Sequence, residues 1–195
     1  MLFQPRTFFV IEQAWIEPIV LVAYALALLV LSRRRGFVAA GVALGILAVS
    51  KQYSLYLLVP LFFALAPRTW PRVLGVAAAV AAAVLAPFAI WDFKEFLRDI
   101  LSPLHAPFRM DALSLPAAWA RLGGRPGPVT WMGPLAGAAL LPALGRRVLS
   151  PAPAAGVSGA ALLVVLLWFK YANCNYYWLC AALLAAAATP SREQA

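Results

Sequence analysis

The sequence predicts an all-α fold, a polytopic bundle of about seven transmembrane helices with interfacial amphipathic helices on its outer face. Two observations predict it. Of the 195 residues, 64% are hydrophobic and only 12% are charged, whereas soluble domains are about 45–50% apolar and about 25% charged. The apolar residues also form long runs bounded by charged residues, Pro or Gly. A soluble globule and a disordered chain are therefore both excluded.

Seven apolar runs approach the ~20 residues that a spanning helix needs. The runs are Pro18–Ser32, Gly36–Ser50, Tyr53–Ala66, Val73–Trp91, Pro128–Gly145, Ala152–Phe169 and Tyr176–Thr189. Only Lys51 and Gln52 separate the second run from the third, so the two could be one long broken helix or a tight helical hairpin. Length favours the hairpin, because a single helix over Gly36–Ala66 would measure ~46 Å against a membrane core of ~30 Å.

The charges indicate an orientation. With seven spans, eight basic residues and one acidic residue fall on one side, and eight basic and six acidic residues fall on the other. The first side is therefore +7 and the second +2, and the positive-inside rule assigns the first to the cytoplasm. We expect the N-terminus outside and the C-terminus inside, in a cell inner (plasma) membrane. Almost every carboxylate then lies on the outer face, where polar chemistry would occur.

The outer stretch after the fourth run begins with an amphipathic helix, because Asp92–Leu101 places its apolar residues at helical spacing. One interpretation is a helix lying in the headgroup plane, with its charges in water. The other is that Asp92 offers a carboxylate to a sugar hydroxyl or a metal. A second short interfacial helix is expected between Ser114 and Gly123, with Trp119 as its anchor.

Three cations on the outer side could bind an anion. Lys51 interrupts apolar sequence, so it either extends to the interface or faces an internal cavity and holds an anion there. Arg109 can bind a phosphate through two parallel hydrogen bonds. Lys170 precedes Asn173, Asn175 and Tyr176, and such amides and rings can bind and stack a sugar while the lysine neutralises a phosphate.

Other chemistries find no support in the sequence. The basic residues lie at the rims of apolar runs, which is typical of topology signals and lipid contact, so no nucleic acid partner is expected. No Gly-rich phosphate loop and no zinc motif occurs. We expect no dedicated metal site, although the sequence leaves open whether a divalent metal takes part. Cys174 and Cys180 are interpreted as small apolar residues.

Five blocks of the sequence resemble the C-terminal portion of bacterial GT-C superfamily glycosyltransferases, which are polytopic mannosyl- or arabinosyltransferase-like membrane proteins. The blocks are PRTFFVIEQAWIEP (5–18), GVALGILAVSKQYSLYLLVP (41–60), LAPFAIWDFKEFLRDIL (85–101), HAPFRMDALSLPAAWARLG (105–123) and WFKYANCNYYWL (168–179). The resemblance implies a polyprenyl-phosphate-linked sugar donor, membrane lipids as surroundings, and transfer to an acceptor hydroxyl on the external face.

The resemblance and the residues together suggest roles. The residues expected to bind the donor phosphate are Lys51, Arg109 and Lys170. Those expected to bind its sugar are Asn173, Asn175 and Tyr176. Asp92 is expected to act near the acceptor as a catalytic carboxylate. The rival class is a non-enzymatic polytopic protein, such as a transporter or flippase subunit or an assembly scaffold, but the polar residues lie at the outer ends of the runs and not at the midplane.

The superfamily's catalytic acid lies in the first large external loop, and neither Glu12 nor Glu17 can be assigned to it. We therefore expect residues 1–195 to form a single membrane module that is incomplete at its N-terminus. On that interpretation, the module alone lacks the catalytic acid and has no transfer activity. Transfer by residues 1–195 alone would instead assign the base to Asp92, Glu12 or Glu17.

The predicted topology can be tested with single cysteines in a background without Cys174 and Cys180. Ser102→Cys lies on the predicted outer side and Ser150→Cys on the predicted inner side. An impermeant maleimide added to intact cells should label only the first. Labelling of Ser150→Cys would contradict the predicted orientation.

Overall fold

The structure is a computed structural model that describes residues 16–105, 108–125, 132–145, 151–170 and 172–188. Every regular element in these ranges is a helix, which confirms the predicted all-α class. Nine α-helices follow one another in the described ranges: α1 (Glu17–Ser32), α2 (Gly36–Ser50), α3 (Leu55–Phe63), α4 (Trp70–Trp91), α5 (Phe93–His105), α6 (Leu115–Arg121), α7 (Met132–Gly145), α8 (Pro151–Trp168) and α9 (Cys174–Ala187).

Each predicted apolar run overlaps one of these helices, and α5 and α6 correspond to the two expected outer helices. The third run differs most from its helix: it begins with a short 3-10 helix, Gln52–Ser54, and α3 has only nine residues. Within the described ranges, the helical stretch Pro67–Trp91 is the one long and apolar enough to cross a membrane. The other apolar helices are shorter.

The helices form one bundle in which α2 packs against α4 and α1, while α8 packs against α7, α9 and α3. Tyr24 and Ser158 connect the two groups, because their hydroxyl oxygens lie 2.8 Å apart in the buried centre. The Ser158 hydroxyl is also 3.3 Å from the Leu57 carbonyl oxygen, so α1, α3 and α8 meet at this point. These contacts satisfy the buried hydroxyl groups of Tyr24 and Ser158.

Helices α2 and α4 run in the same direction. A Cβ added to Gly41 would lie 2.5 Å from Val76 Cβ, and one added to Gly45 would lie 2.8 Å from Val80 Cβ. Later residues of α2 thus contact later residues of α4, which makes the two helices parallel. The α2 and α4 C-termini, marked by the extended residues Lys51 and Asp92, consequently lie at the same end of the bundle.

We call this end the polar end, defined by Glu17, Lys51, Asp92 and Lys170. Glu17 and Lys51 form an ion pair, and Tyr53, next to the α2 terminus, contacts Tyr176, which follows Lys170 at the start of α9. The opposite end, which we call the arginine end, holds Arg33–Arg35 and the segment Pro67–Arg72. The sequence assigned several segments to the outer side. Their described parts therefore lie together at one end of the bundle.

Apolar side chains cover much of the outside of the bundle. The most exposed are Trp91 and Ile90, at 90% and 84%, and helices α1 and α2 also carry large exposed side chains such as Ile19 and Val38. An apolar surface of this extent is typical of a membrane or protein contact. It is consistent with a bundle surrounded by lipid.

The close contact of α2 with α4 should tolerate no added side chain. Gly45→Ala would place its Cβ 2.8 Å from the Ala77 carbonyl oxygen, and such overpacking costs about 1–3 kcal/mol. Thermal unfolding of the protein in detergent micelles should show a lower midpoint. Gly75→Ala is the matched control, because its Cβ meets no atom within 4 Å and alanine favours a helix by about 1 kcal/mol. Equal midpoints for the two variants would contradict the parallel packing.

Candidate functional site

A buried ion pair lies at the polar end. The Glu17 carboxylate, at the start of α1, is 0% exposed, and the Lys51 side chain is 15% exposed. The distance from Lys51 Nζ to Glu17 Oε1 is 2.5 Å. Lys51 reaches this position because its extended backbone ends α2 and turns the side chain toward α1. A carboxylate withdrawn from water is stable only with such a partner.

Two tyrosines complete the surroundings of Lys51. Its Nζ lies 5.6 Å from the Tyr53 ring centroid and 5.0 Å from the Tyr176 ring centroid, both within cation–π range. The two rings contact each other edge to face at 5.7 Å. The Tyr53 hydroxyl also donates a hydrogen bond of 3.4 Å to Glu17 Oε1. The Lys51 side chain is thus largely buried and paired with Glu17, and its binding of a ligand anion stays a prediction.

Two buried oxygen atoms beside this cluster lack a hydrogen-bond partner in the described part of the chain. They are Glu17 Oε2 and Asn175 Oδ1. Asn175 is only 5% exposed and precedes Tyr176 in the first turn of α9. Buried acceptors are nearly always hydrogen-bonded. Each of these oxygens can therefore accept a hydrogen bond from a hydroxyl group of a ligand.

The segment 108–114 lies beside the last loop. Arg109 N donates to the Lys170 carbonyl oxygen at 3.1 Å, and Leu113 N donates to the Ala172 carbonyl oxygen at 2.7 Å. The Tyr177 hydroxyl donates to the Leu113 carbonyl oxygen. These bonds hold the backbone of Arg109 next to that of Lys170, although the two residues are 61 positions apart.

The Arg109 guanidinium lies at the solvent side of the cluster. It pairs with Asp111 through two hydrogen bonds, Nε to Oδ1 at 3.0 Å and Nη2 to Oδ2 at 2.5 Å. This pairing raises the pKa of Arg109 and lowers the pKa of Asp111. The guanidinium is also close enough to Tyr176 to interact with it electrostatically. Arg109 is therefore a permanent positive charge near Tyr176.

Lys170 and Asn173 lie on the loop between α8 and α9. The Lys170 side chain is partly buried, and the loss of water around it lowers its pKa. Asn173 is the N-cap residue of α9, with an extended backbone. Both residues shortly precede Tyr176 in the chain, and the backbone of Lys170 is bonded to that of Arg109. Their binding roles stay predictions.

Asp92 occupies a separate, neighbouring groove. Its Oδ1 accepts a hydrogen bond of 3.0 Å from the Glu95 backbone N–H, so it caps the N-terminus of α5. The groove has a volume of about 460 Å³ and is open to solvent. Its lining consists of Gln52, Leu85, Phe88, Trp91, Asp92, Glu95, Phe96, Asp99 and Ile100. Because Gln52 follows Lys51, the groove begins beside the ion pair.

The groove combines carboxylates with part of the α5 apolar stripe. Phe93, Leu97 and Ile100 are between 39% and 62% exposed, so the bundle does not cover this stripe. The exposure agrees with an interfacial helix, and the acidic residues of the same helix line the groove. In the described ranges, no three His, Cys, Asp or Glu side chains come together in a way that could hold a metal ion.

The sequence did not identify Glu17 and Tyr53 as site residues. A signal for Glu17 existed, because a lysine inside apolar sequence needs a counter-charge and few carboxylates lie near it in the sequence. Glu17 directly precedes the first apolar run, on the same predicted side as Lys51. The contact between Tyr53 and Tyr176 had no such signal, because 123 positions separate the two residues.

Comparison with known proteins identifies a family. Residues 6–192 match glycosyltransferase family 87, which covers nearly the whole chain. No curated protein and no solved structure matches it.

The buried ion pair should dominate the stability of the polar end. Lys51→Met leaves the Glu17 carboxylate buried without its cation, and breaking such a pair costs about 3–5 kcal/mol. The double variant Glu17→Gln/Lys51→Met removes both charges and should recover most of the loss. Thermal unfolding in detergent micelles measures both effects.

The exposed ion pair of Glu95 with Arg98 provides the control. Glu95→Gln should change stability by less than about 1 kcal/mol, because exposed pairs are worth about 0–1 kcal/mol. A Lys51→Met variant no less stable than the Glu95→Gln variant would show that the Glu17 carboxylate is not buried as described.

Proposed function

Since the chain belongs to glycosyltransferase family 87, a GT-C-type family of membrane glycosyltransferases, we propose that it transfers a sugar from a polyprenyl-phosphate donor to an acceptor hydroxyl on the external face of the membrane. The family match itself establishes the class of membrane glycosyltransferase and points to a lipid-linked donor. It also confirms the resemblance seen in the sequence. The donor lipid and the face of the membrane are the proposed part.

The observation that carries this proposal is the convergence of distant segments at the polar end. Lys51 lies 5.0 Å from the Tyr176 ring centroid, and the Arg109 backbone is bonded to that of Lys170. Three cations, a tyrosine and a buried amide thus come from three separate parts of the chain. Such a combination suits a sugar phosphate, which needs positive charge at one end and hydrogen bonds at the other.

Lys51 is the proposed inner ligand of the donor phosphate. An ammonium group has three donors, and Glu17 Oε1 accepts only one of them, so two remain for phosphate oxygens. Glu17 acts here as a positioning residue that holds the ammonium beside the two tyrosine rings. The partly buried surroundings strengthen its attraction for an anion.

Arg109 and Lys170 are the proposed outer ligands. The Arg109 pair with Asp111 is exposed, so a phosphate can join it or replace Asp111 at little cost. Arginine binds phosphate with two parallel hydrogen bonds. Together the cations stabilise the negative charge that the lipid phosphate gains as the sugar leaves it.

Asn173, Asn175 and Tyr176 are the proposed sugar ligands. The unpartnered Asn175 Oδ1 can accept a hydrogen bond from a sugar hydroxyl, and the Tyr176 ring offers a face for stacking. The three residues are adjacent at the start of α9, next to the proposed phosphate ligands. This order matches the donor, in which the sugar is joined directly to the phosphate.

Asp92 is the proposed catalytic carboxylate at the acceptor. It removes the proton from the acceptor hydroxyl while that oxygen attacks the anomeric carbon and the bond from this carbon to the phosphate oxygen breaks. The sugar configuration is inverted, the proton stays on the carboxylate, and the bonding electrons leave with the lipid phosphate. Its groove, which begins at Gln52, supplies aromatic side chains against which an acceptor sugar can pack.

The proposal includes seven membrane spans in a plasma membrane, formed by α1–α4 and α7–α9, with the N-terminus outside and the C-terminus in the cytoplasm. The parallel course of α2 and α4 supports it. Because both helices run toward the polar end, the chain that joins them, which includes α3, must cross back to the arginine end. The arginines at the opposite end also support it, since positive residues concentrate on the cytoplasmic side.

Binding of polyprenyl phosphate to the purified protein in nanodiscs tests the site without requiring turnover. Arg109→Gln and Lys170→Gln should each weaken binding about tenfold, because each removes one charge-assisted contact worth about 1.5–3 kcal/mol. Asn173→Ala should leave the binding of polyprenyl phosphate unchanged and weaken that of polyprenyl-phosphate-linked mannose.

Arg98→Gln is the control for both lipids, since Arg98 is an exposed cation of the same end that pairs with Glu95. If Arg98→Gln weakened binding as much as Arg109→Gln, the effect would be a general surface charge, and the assignment of Arg109 and Lys170 would be wrong.

A further inference from the structure

A second cavity lies at the arginine end, away from the site described above. Its volume is about 710 Å³. Helix α2 joins the two places, since its first residue, Gly36, lines this cavity and Lys51 follows its last residue. A helix of 15 residues is about 22 Å long. The cavity is therefore independent of the proposed donor site.

The rim of the cavity is cationic. Arg34 and Arg35 line it, and the Arg72 guanidinium lies 5.8 Å from the centroid of Phe37, another lining residue. No carboxylate occurs in the sequence between Glu17 and Asp92. Within the described ranges, none of the arginines at this end forms an ion pair. Their donors are therefore available to an anion.

The hydroxyl groups at the rim do not compete for this role. Ser32 Oγ donates to the Leu29 carbonyl oxygen at 3.0 Å, and Thr69 Oγ1 donates to the Ala66 carbonyl oxygen at 2.7 Å. Each guanidinium, in contrast, presents five N–H donors in a planar fork that fits phosphate oxygens. The arginines are thus the groups that would recognise a ligand.

The floor of the cavity is apolar and joins the exposed apolar surface. Leu31, Ala40 and Val73 are buried at its base, whereas Phe37 on its wall is 41% exposed. Val38, next along α2, is 54% exposed. An occupant can therefore place an anionic group on the arginines and a hydrocarbon chain along α2, which describes an amphiphile and not a small soluble ion.

The backbone of the rim is unusual. Arg34 has a φ of +49°, and it is the one residue other than glycine with a positive φ in the described ranges. This conformation is unfavourable for side chains with a Cβ, and a simple turn would use glycine here. Backbone strain of this kind concentrates at functional positions. The positive φ turns the backbone at Arg34, which lines the cavity.

The geometry points to a binding site for the phosphate headgroup of an anionic membrane phospholipid at the arginine end. Arg34 and Arg35 hold the phosphate, and an acyl chain follows the exposed face of α2. On this arrangement the lipid is a bound structural ligand of the bundle, distinct from the sugar donor. Basic pockets between helices at this level of a membrane bind lipid headgroups by the same chemistry.

Native mass spectrometry of the full chain with phosphatidylglycerol tests the site. The wild type should retain this lipid in preference to phosphatidylcholine. The double variant Arg34→Gln/Arg35→Gln should lower retention at least tenfold, since each basic residue near a lipid surface contributes substantially to anion binding. Ala66→Phe is a second test, because Ala66 lines the cavity outside any helix and the ring would fill the space without removing charge.

Arg33→Gln/Arg68→Gln is the matched control, since it removes two charges from the same end and neither residue lines the cavity. Retention should be unchanged in this control. Equal loss in both double variants, or full retention by Ala66→Phe, would overturn the site in favour of general surface attraction. Displacement of the lipid by millimolar glycerol phosphate would overturn the lipid as occupant and assign the site to a soluble phosphate.

Discussion

The polar end of this bundle depends on a buried ion pair. Glu17 is withdrawn from water entirely, and a carboxylate in that position requires a cation within hydrogen-bond distance. Lys51 supplies it, and its ammonium group lies beside the rings of Tyr53 and Tyr176, which contact each other. One electrostatic requirement therefore joins the start of α1, the break after α2 and the start of α9. The position of the proposed phosphate ligand follows from that requirement and not from any local sequence preference.

The parallel course of α2 and α4 extends this arrangement to the whole protein. Because α2 and α4 pack in parallel at Gly41 and Gly45, both helices end at the polar end, where Gln52 lines the Asp92 groove. The same packing gathers the arginines at the other end. The bundle thus separates two chemistries by about the length of one helix, about 22 Å, with sugar transfer proposed at one end and lipid binding at the other.

The sequence predicted the helical class, the places of the helices and the sides on which polar residues gather, because these depend on apolar runs and on charge. It also predicted the outer helix after Asp92 from its apolar spacing. It did not predict the partner of Lys51, the contact of Tyr53 with Tyr176, or the alignment of Arg109 with Lys170. Each of these joins residues far apart in the chain, and helix packing alone decides them. The position of Asp92 was predicted only in part. The sequence placed it at the outer end of a helix, and the structure shows in addition that it caps α5 and lines a groove.

The most direct test of phosphate binding at the polar end is a cryo-electron microscopy structure of the protein with polyprenyl phosphate. A bound antibody fragment would provide sufficient mass. We predict phosphate density at the polar end, with its oxygens within about 4 Å of Lys51 Nζ and the Arg109 guanidinium. The Glu17 carboxylate should still be bonded to the same ammonium group. Phosphate density elsewhere, with Lys51 bonded only to Glu17, would contradict this prediction.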